Sequence, residues 1–279
     1  MVGISLSRNY ALPMEEVIPL VKAAGFSAVS PLWGTKVDMA AVCRQARSLG
    51  LFVQSLHAPF GKADTLWSHD PAVFKEGIHA VMPALEDCIR LQIPVMVMHA
   101  WIDKDLSFDM DHLYFGNFDA IVEKAAAHNV KIAFENTEGI EYLKALFERY
   151  GDREAMGFCW DSGHEMCYNF SEDLLALFGH KLYATHINDN LGVKDFDGRI
   201  FWHDDLHLLP YDGIGDWDYN ARRLVKCGYE GILTFELNKS SKPNRHENDK
   251  YDKMTLEEYA SEAYIRACRF AMQIMRNAE

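Results

Sequence analysis

Acidic and histidine side chains recur in this sequence at the ends of short apolar runs. In VKIAFENTEG, residues 130–139, a run that mixes apolar and β-branched residues, as strands do, ends on Glu135. Five further runs end on or beside His57, His99, Asp161, His186 and Glu236. Because carboxylates and imidazoles transfer protons and bind divalent cations, this recurrence predicts acid–base or metal chemistry.

Three more residues of the same types follow these positions. His164 lies three residues after Asp161, and Asp205 and His207 flank Leu206 in the stretch that follows the seventh run. Taken singly, such a residue is often a helix cap, an ion pair or a hydrogen-bonded core side chain. The prediction of a functional site therefore depends on the whole set and not on any one short motif.

The runs that carry these residues show little polar alternation, which is typical of parallel strands covered by helices. Eight strands are predicted, at residues 3–7, 28–32, 52–57, 94–99, 131–135, 157–161, 182–188 and 232–237. Amphipathic segments between them are predicted as helices. Their expected starts are marked by Pro13, Asp38, Asp70, Ser171 and the capping box of Thr255 and Glu258.

Alternating strands and helices predict an α/β fold, and a closed (β/α)8 TIM barrel fits the count and the length of 279 residues. An open doubly wound sheet is the alternative, but the first turn, SLSRNYALP, lacks the glycines that such a fold uses there. We expect one domain over residues 1–279. It would carry a long loop at 189–216, of the kind that forms lids or binding loops, and a final helix at 255–275.

In a barrel the carboxyl ends of all strands meet at one mouth, which would bring the candidate residues together. Crowded carboxylates raise each other's pKa, and a bound divalent cation reverses that repulsion. One set of candidate ligands combines three carboxylates with a single imidazole: Glu135, Asp161, His186 and Glu236. This mixture of ligand types suits Mn²⁺, Mg²⁺, Co²⁺ or Zn²⁺. One cation per chain is expected.

The remaining residues leave room for up to three cations. His57 and His99 are candidates for a second metal that shares Glu135, and His164, Asp205 and His207 are candidates for a third. The alternative is that these histidines contact substrate hydroxyl groups directly.

Other residues are predicted to line the pocket or to support it. Trp33, Phe60 and Trp101 follow strands and are candidates to stack on a sugar ring, while packing under loops is the alternative. Lys194 and Arg199, in the long loop, are candidates to bind a phosphate or carboxylate, although solvated loop charges are common. Trp202 is a further wall candidate, and Asp189 and Asn190 are candidates to orient the ring of His186.

Composition narrows the classes of partner. The net charge of −13 argues against a broad basic surface for nucleic acid, and no apolar run is long enough to span a membrane. The first residues lack the features of a secretory signal, and the six cysteines form no CxxC pair. We therefore expect a reduced, cytoplasmic protein that acts on a small molecule. Homo-oligomerisation stays open.

The quoted motifs carry a family likeness. The chain resembles the xylose isomerase-like barrels, the superfamily that holds sugar isomerases, sugar epimerases and endonuclease IV. The likeness runs from SLHAPFG to ILTFELN, and its most specific pieces are AFENTEG, WDSGH, THINDN and DLHLLPYDGIGDWD. The resemblance implies core metal ligands at Glu135, Asp161, His186 and Glu236. It also implies that the two further zinc ions of endonuclease IV would bind at His57, His99, His164, Asp205 and His207.

Two functions follow from this likeness. The first is a metal-dependent isomerase or epimerase of a sugar or sugar phosphate. There, Glu135 and Glu236 would move a proton through an enediolate, and His164 would orient a substrate oxygen. The second is a zinc-dependent phosphodiesterase similar to endonuclease IV, which acts on abasic DNA. The loops after the third to sixth strands carry more acid than base, which favours the sugar enzyme. A metal-binding barrel without activity is a third class.

Overall fold

The structure, a computed structural model, describes residues 1–6, 10–102, 112–169, 172–193 and 201–278. Its strands all pair in parallel, in the orders β3-β2-β1-β9 and β4-β5-β6-β7-β8. They are β1 Val2–Leu6, β2 Ala28–Pro31, β3 Phe52–Val53, β4 Ser55–His57, β5 Val95–His99, β6 Lys131–Glu135, β7 Met156–Asp161, β8 Leu182–His186 and β9 Leu233–Phe235. Parallel bridges from Leu32 to His57 and from Ile187 to Phe235 join the two sheets at both edges. The predicted TIM barrel is thereby confirmed.

Helices cover the outside of the sheet. They are α1 Met14–Ala24, α2 Met39–Ser48, α3 Pro71–Leu91, α4 Gly116–Ala127, α5 Ile140–Tyr150, α6 Ser162–Cys167, α7 Leu174–Phe178, α8 Phe201–Asp204, α9 Trp217–Lys226 and α10 Leu256–Ala278. Because helices lie on one side and the barrel interior on the other, the strands are buried on both faces, as the uninterrupted burial of β7 shows.

Local capping chemistry accounts for several helix starts. The side chains of Asp38 and Asp70 accept hydrogen bonds from the backbone nitrogens of Ala41 and Ala72, as predicted. At the start of α10, Thr255 and Glu258 exchange hydrogen bonds between their side chains and backbone nitrogens. Pro13 stands immediately before α1, whereas Ser171 lies outside the described residues. The final helix ends later than predicted, at Ala278.

The predicted third strand is two strands, and the break falls at Gln54. β3 pairs with β2, whereas β4 pairs with β5 in the other sheet. Gln54 lies at this change of partner, and its side chain crosses the barrel interior to contact Thr234 and the carbonyl of Ile232. The partner of a strand is a tertiary property, so the apolar run alone could not reveal the break. In the described part of the chain, no helix has the length and apolar character needed to cross a membrane.

Candidate metal centre and active site

The predicted residues lie together at the carboxyl ends of the strands. His57, His99, Glu135, Asp161 and His186 are the last residues of β4 to β8 in turn. Glu236 follows β9, and its backbone nitrogen bonds to the carbonyl of Ile187, so it keeps the register of the barrel. Parallel strands of matched length end at one edge, and this edge forms the mouth of the barrel.

Glu135 lies at the centre of the cluster. Its Oε2 is 3.1 Å from Nε2 of His57 and 3.5 Å from Nε2 of His99. Its Oε1 is 3.0 Å from Nδ1 of His186 and 3.3 Å from Nδ1 of His164. The carboxylate is buried, and these four imidazoles surround it. A carboxylate in such a position is stabilised by positive charge on the rings or by a bound cation.

Glu236 is the more accessible of the two glutamates. Its Oε2 is 2.9 Å from Nδ1 of His186, which is the atom that also faces Glu135, and its Oε1 accepts a hydrogen bond from Ser5 at 3.5 Å. The side chain of Glu236 is 15% exposed, compared with 1% for Glu135. Two carboxylates, one at the end of β6 and one directly after β9, thus converge on one imidazole nitrogen.

Asp161 is held in place by Asn188, a residue for which the sequence predicted no role. The amide nitrogen of Asn188 donates to both carboxylate oxygens of Asp161 at 3.0 Å. Asn188 packs directly over Gly163, where an added Cβ would lie 1.8 Å from its side-chain oxygen. A larger residue at position 163 would displace Asn188, so glycine in the WDSGH motif has a steric reason.

A second group lies beside the first. Nε2 of His207 is 2.9 Å from Oδ2 of Asp205, and Nε2 of His164 is 3.4 Å from the same oxygen. Nδ1 of His164 also contacts the carbonyl oxygen of Asn136 at 2.9 Å, which fixes the orientation of the ring. Lys242 approaches the same carboxylate, with its Nζ 3.8 Å from Oδ2 of Asp205.

The charges of the cluster shift the pKa values of its members. Burial would raise the pKa of Glu236, but the charges of His186 and His207 outweigh burial and lower this pKa to about 2. Burial would likewise raise the pKa of Glu135, and the surrounding imidazoles hold it well below its ordinary value. Burial dominates at Asp161, whose pKa is raised to about 6. Both glutamates are therefore ionised at neutral pH.

The donor set fits a divalent cation. Four ligand atoms, one each from Glu135, Asp161, His186 and Glu236, lie within 4.8 Å of one another. Oxygen and nitrogen ligands lie about 2.0–2.2 Å from Zn²⁺ or Mg²⁺, so a small inward movement of these atoms would let them serve as four ligands of one ion. Two further groups meet the same distance limit: His57, Glu135 and His186, and Asp161, His164 and His207.

A cavity of about 540 Å³ opens above the cluster, a size that suits a small molecule. Its lining includes Trp33, Phe60 and Trp202. The ring of Phe60 stacks on His99, with 4.7 Å between centroids. Trp101 is placed elsewhere, because its ring stacks on Tyr142 at 3.9 Å and it is not among the described residues that line the cavity. Lys194 and Arg199 lie outside the described residues.

Asp189 does not orient His186, contrary to the expectation from its position. Its Oδ1 accepts from the backbone nitrogens of Asn190 and Gly215, and its Oδ2 accepts from Tyr211, Gly213 and the indole of Trp217, at 2.8–3.0 Å. Its backbone also pairs with Leu208, the residue after His207. Asp189 therefore anchors the segment that carries Asp205 and His207.

Several cavity and support residues were not predicted. Asn136, Asn188 and Lys242 contact the proposed ligands, and Tyr168 and Asn238 line the cavity. Asn136 stands in the motif AFENTEG, and Asn188 stands in the motif THINDN. A signal was available, because asparagine is depleted in strands and here follows a predicted ligand directly at Asn136 and two residues later at Asn188.

The TIM barrel and the cluster of carboxylates and histidines at its mouth point to one class of protein. A comparison with known protein families gives the same class. A model of the family described as xylose isomerase-like TIM barrel matches residues 18–258. The chain belongs to this family. It is also 32% identical over 182 residues to the uncharacterised protein y4fM of Sinorhizobium fredii, a match that covers 61% of this chain. The match covers 55% of that protein, so the chain aligns with only about half the length of this curated relative.

Solved structures show the same fold. L-ribulose 3-epimerase superposes with a TM-score of 0.72 at 16% identity and covers 99% of this chain and 95% of its own. The IOLI protein, solved with a zinc atom, has a TM-score of 0.75 at 16% identity, with 99% and 98% covered. A xylose isomerase-like barrel fused to a 4-hydroxyphenylpyruvate dioxygenase also matches, with 44% of that longer chain covered. At such identities the likeness establishes the barrel and leaves the reaction to be proposed.

Proposed function

We propose that this protein is a divalent-metal-dependent isomerase or epimerase of a sugar or sugar phosphate. One observation supports the proposal above all: Glu135 and Glu236 meet Nδ1 of the same buried histidine, at 3.0 and 2.9 Å, on the floor of a cavity of small-molecule size. Isomerisation and epimerisation at a carbon next to a carbonyl need a base to remove a proton and an acid to return it. Two carboxylates at one point supply that pair, the ionised one as the base and the one that has taken up a proton as the acid.

The cation that fits this site would be held by Glu135, Asp161, His186 and Glu236. When bound, a divalent ion polarises neighbouring substrate oxygens and stabilises the charge of an enediolate. Asn188 holds Asp161 in its place, and the carbonyl of Asn136 holds His164, whose ring lines the cavity within reach of a substrate oxygen.

The two glutamates divide the proton transfer. One carboxylate removes the proton from the carbon next to the carbonyl, and the other, which has first taken a proton from solvent, delivers that proton to the same carbon from the opposite face or to the adjacent carbon. Glu236 is the more exposed of the two side chains, which favours it as the group that meets the substrate first. Trp33, Phe60 and Trp202 wall the cavity, where flat apolar rings suit the apolar faces of a sugar.

The test is solvent hydrogen exchange. Purified protein with added Mn²⁺ or Co²⁺ is incubated in D₂O with a panel of ketoses and ketose phosphates, and deuterium on carbon is read by NMR. We expect incorporation next to the carbonyl with at least one ketose, and loss of that exchange in Glu236→Gln. Absence of exchange across the whole panel with the metal-loaded protein would overturn the proposal.

A second candidate function, cleavage of abasic DNA with three zinc ions, is favoured by a specific observation. Besides the central group, the structure brings His57, Glu135 and His186 together, and also Asp161, His164 and His207. Against it, Lys242 is the one lysine or arginine among the described residues that line the cavity, whereas a DNA enzyme needs several cations for phosphates. A labelled abasic duplex distinguishes the two functions. Chelator-sensitive cleavage would establish the second, and an intact duplex would eliminate it.

A further inference from the structure

Helix α10 exposes an apolar stripe on the outer surface of the barrel. Ile265, Met272 and Met275 are 62%, 62% and 68% exposed, although the opposite face of the helix packs Tyr259 and Phe270 into the core. Single exposed apolar residues are ordinary on protein surfaces. These three recur at helical spacing along one face, so they form a stripe and are not scattered single residues.

The same face of α10 has a surface shape into which the side chains of a second helix would pack. A shallow groove of about 460 Å³ runs along it, and its lining includes Ile265, Cys268, Arg269, Met272 and Arg276. Helices pack by placing the side-chain ridges of one into the grooves of the other. The stripe and the groove therefore offer both parts of such a contact on one helix.

Charge along α10 favours a second copy of the helix as the occupant. Glu257 and Glu258 lie exposed in the first turn, and Arg276 lies exposed near the end. Against a second α10 running the same way, acid would meet acid and base would meet base. Against an antiparallel copy, the acidic end of each helix meets the basic end of the other. An antiparallel pair has two-fold symmetry, in which each subunit contributes the same surface.

We propose that α10 forms the interface of a homodimer, in which two copies pair their helices antiparallel about a two-fold axis. Ile265 packs against Met272 of the partner subunit, and the symmetry makes this contact twice. That register places the axis beside Cys268 and sets Ser261 opposite Arg276 of the partner subunit, with Glu258 one turn away. The proposal does not depend on the reaction, since the barrel mouth is not part of the interface.

The first test is molar mass in solution. Light scattering on the whole protein from about 1 to about 200 µM covers the range expected for a small interface. We expect twice the 31.9 kDa mass of the chain at the upper end. The double variant Ile265→Glu/Met272→Glu should weaken association by at least about 100-fold, because it places charge on both apolar contacts. Leu177→Glu, on the exposed surface of α7, is the matched control and should dimerise like the native chain.

The second test is charge reversal and rescue. Arg276→Glu should weaken the dimer by about ten-fold. It removes the attraction between Arg276 and Glu258 of the partner subunit, and the symmetry makes this contact twice. Adding Ser261→Arg to that variant should restore association, since the two new charges face each other in the antiparallel register and nowhere else. Thermal unfolding of each variant checks that the fold is kept.

Three results would overturn the proposal. A native chain that is monomeric over the whole range would do so, as would a dimer that the double glutamate variant leaves intact. Failure of Ser261→Arg to restore the Arg276→Glu variant would overturn the antiparallel register.

Discussion

At the scale of single residues, the site is organised around shared atoms. Nδ1 of His186 faces both glutamates, and Oδ2 of Asp205 faces His164, His207 and Lys242. Because each group contacts several others, changing one side chain removes more than one interaction. Loss of charge at a shared atom is therefore expected to affect chemistry strongly while leaving the backbone in place.

The sharpest change of this kind is Glu236→Gln. The substitution keeps the size of the side chain and removes the charge that contacts His186. We expect isomerase or epimerase turnover to fall by about 10²–10⁴-fold, the usual contribution of a positioned acid–base group. Circular dichroism should show an unchanged fold. Unchanged turnover with the best ketose would remove Glu236 from the proton transfer.

Replacing Asn188 tests whether its amide supports the proposed metal ligand Asp161. Asn188→Ala deletes the amide that donates to both oxygens of Asp161, so we expect metal affinity to fall by about 10–100-fold. Gly163→Ala should give a similar loss by a different route, since the new Cβ would push Asn188 away. Calorimetric titration with Mn²⁺ measures both, and Asn277→Ala at the exposed end of α10 is the control. Equal affinity in all three variants and the native chain would show that Asn188 does not support the ligand.

At the scale of elements, the segment after β8 depends on one buried carboxylate. Asp189 accepts hydrogen bonds from four backbone nitrogens and one indole. Gly213 is required beside it, because an added Cβ would lie 2.3 Å from Oδ1 of Asp189. This contact explains why glycine occupies position 213 in the motif PYDGIGDW.

The change Asp189→Asn tests this role. An amide has one accepting oxygen, so at least two of the five donors would be left buried without a partner. At about 1–3 kcal/mol for each, we expect the free energy of unfolding to fall by about 2–5 kcal/mol. Urea denaturation measures the loss, and Asp252→Asn on the exposed surface should leave stability within about 0.5 kcal/mol of native. A native-like midpoint for Asp189→Asn would show that the segment is held by other contacts.

The elements also show what the sequence alone could reveal. Strand ends such as His99 and Glu135 were predictable, because an apolar run that stops on a ligand residue is a local signal. The break at Gln54 was not, since the change of pairing partner is decided by the closure of the barrel. The position of Trp101 depends on its stacking with Tyr142, which is distant in the sequence, and no local pattern reports such a contact. Asp189 was assigned the wrong neighbour for the same reason.

At the scale of the whole molecule, the metal centre should contribute to stability. Its ligands come from β6, β7, β8 and the end of β9, so a bound ion links half of the barrel. A ligand present at about 100 times its dissociation constant adds about 2.7 kcal/mol to the folded state. For a chain of 279 residues this corresponds to a rise of about 5 °C in Tm.

Scanning calorimetry with chelator and then with excess Mn²⁺ measures this rise. The matched control is Glu135→Gln, which removes the central ligand charge and should show a much smaller shift on adding Mn²⁺. A native Tm that is the same with chelator and with every divalent ion tried would contradict a structural link through the metal.

The central claim is that Glu135, Asp161, His186 and Glu236 hold one divalent cation at the mouth of the barrel. Crystals grown with Mn²⁺ and measured at an anomalous wavelength test it most directly. We predict one strong anomalous peak per chain, within about 2.3 Å of one donor atom from each of these four residues, including Nδ1 of His186. No peak at this position, or a principal peak bound by other residues, would contradict the account.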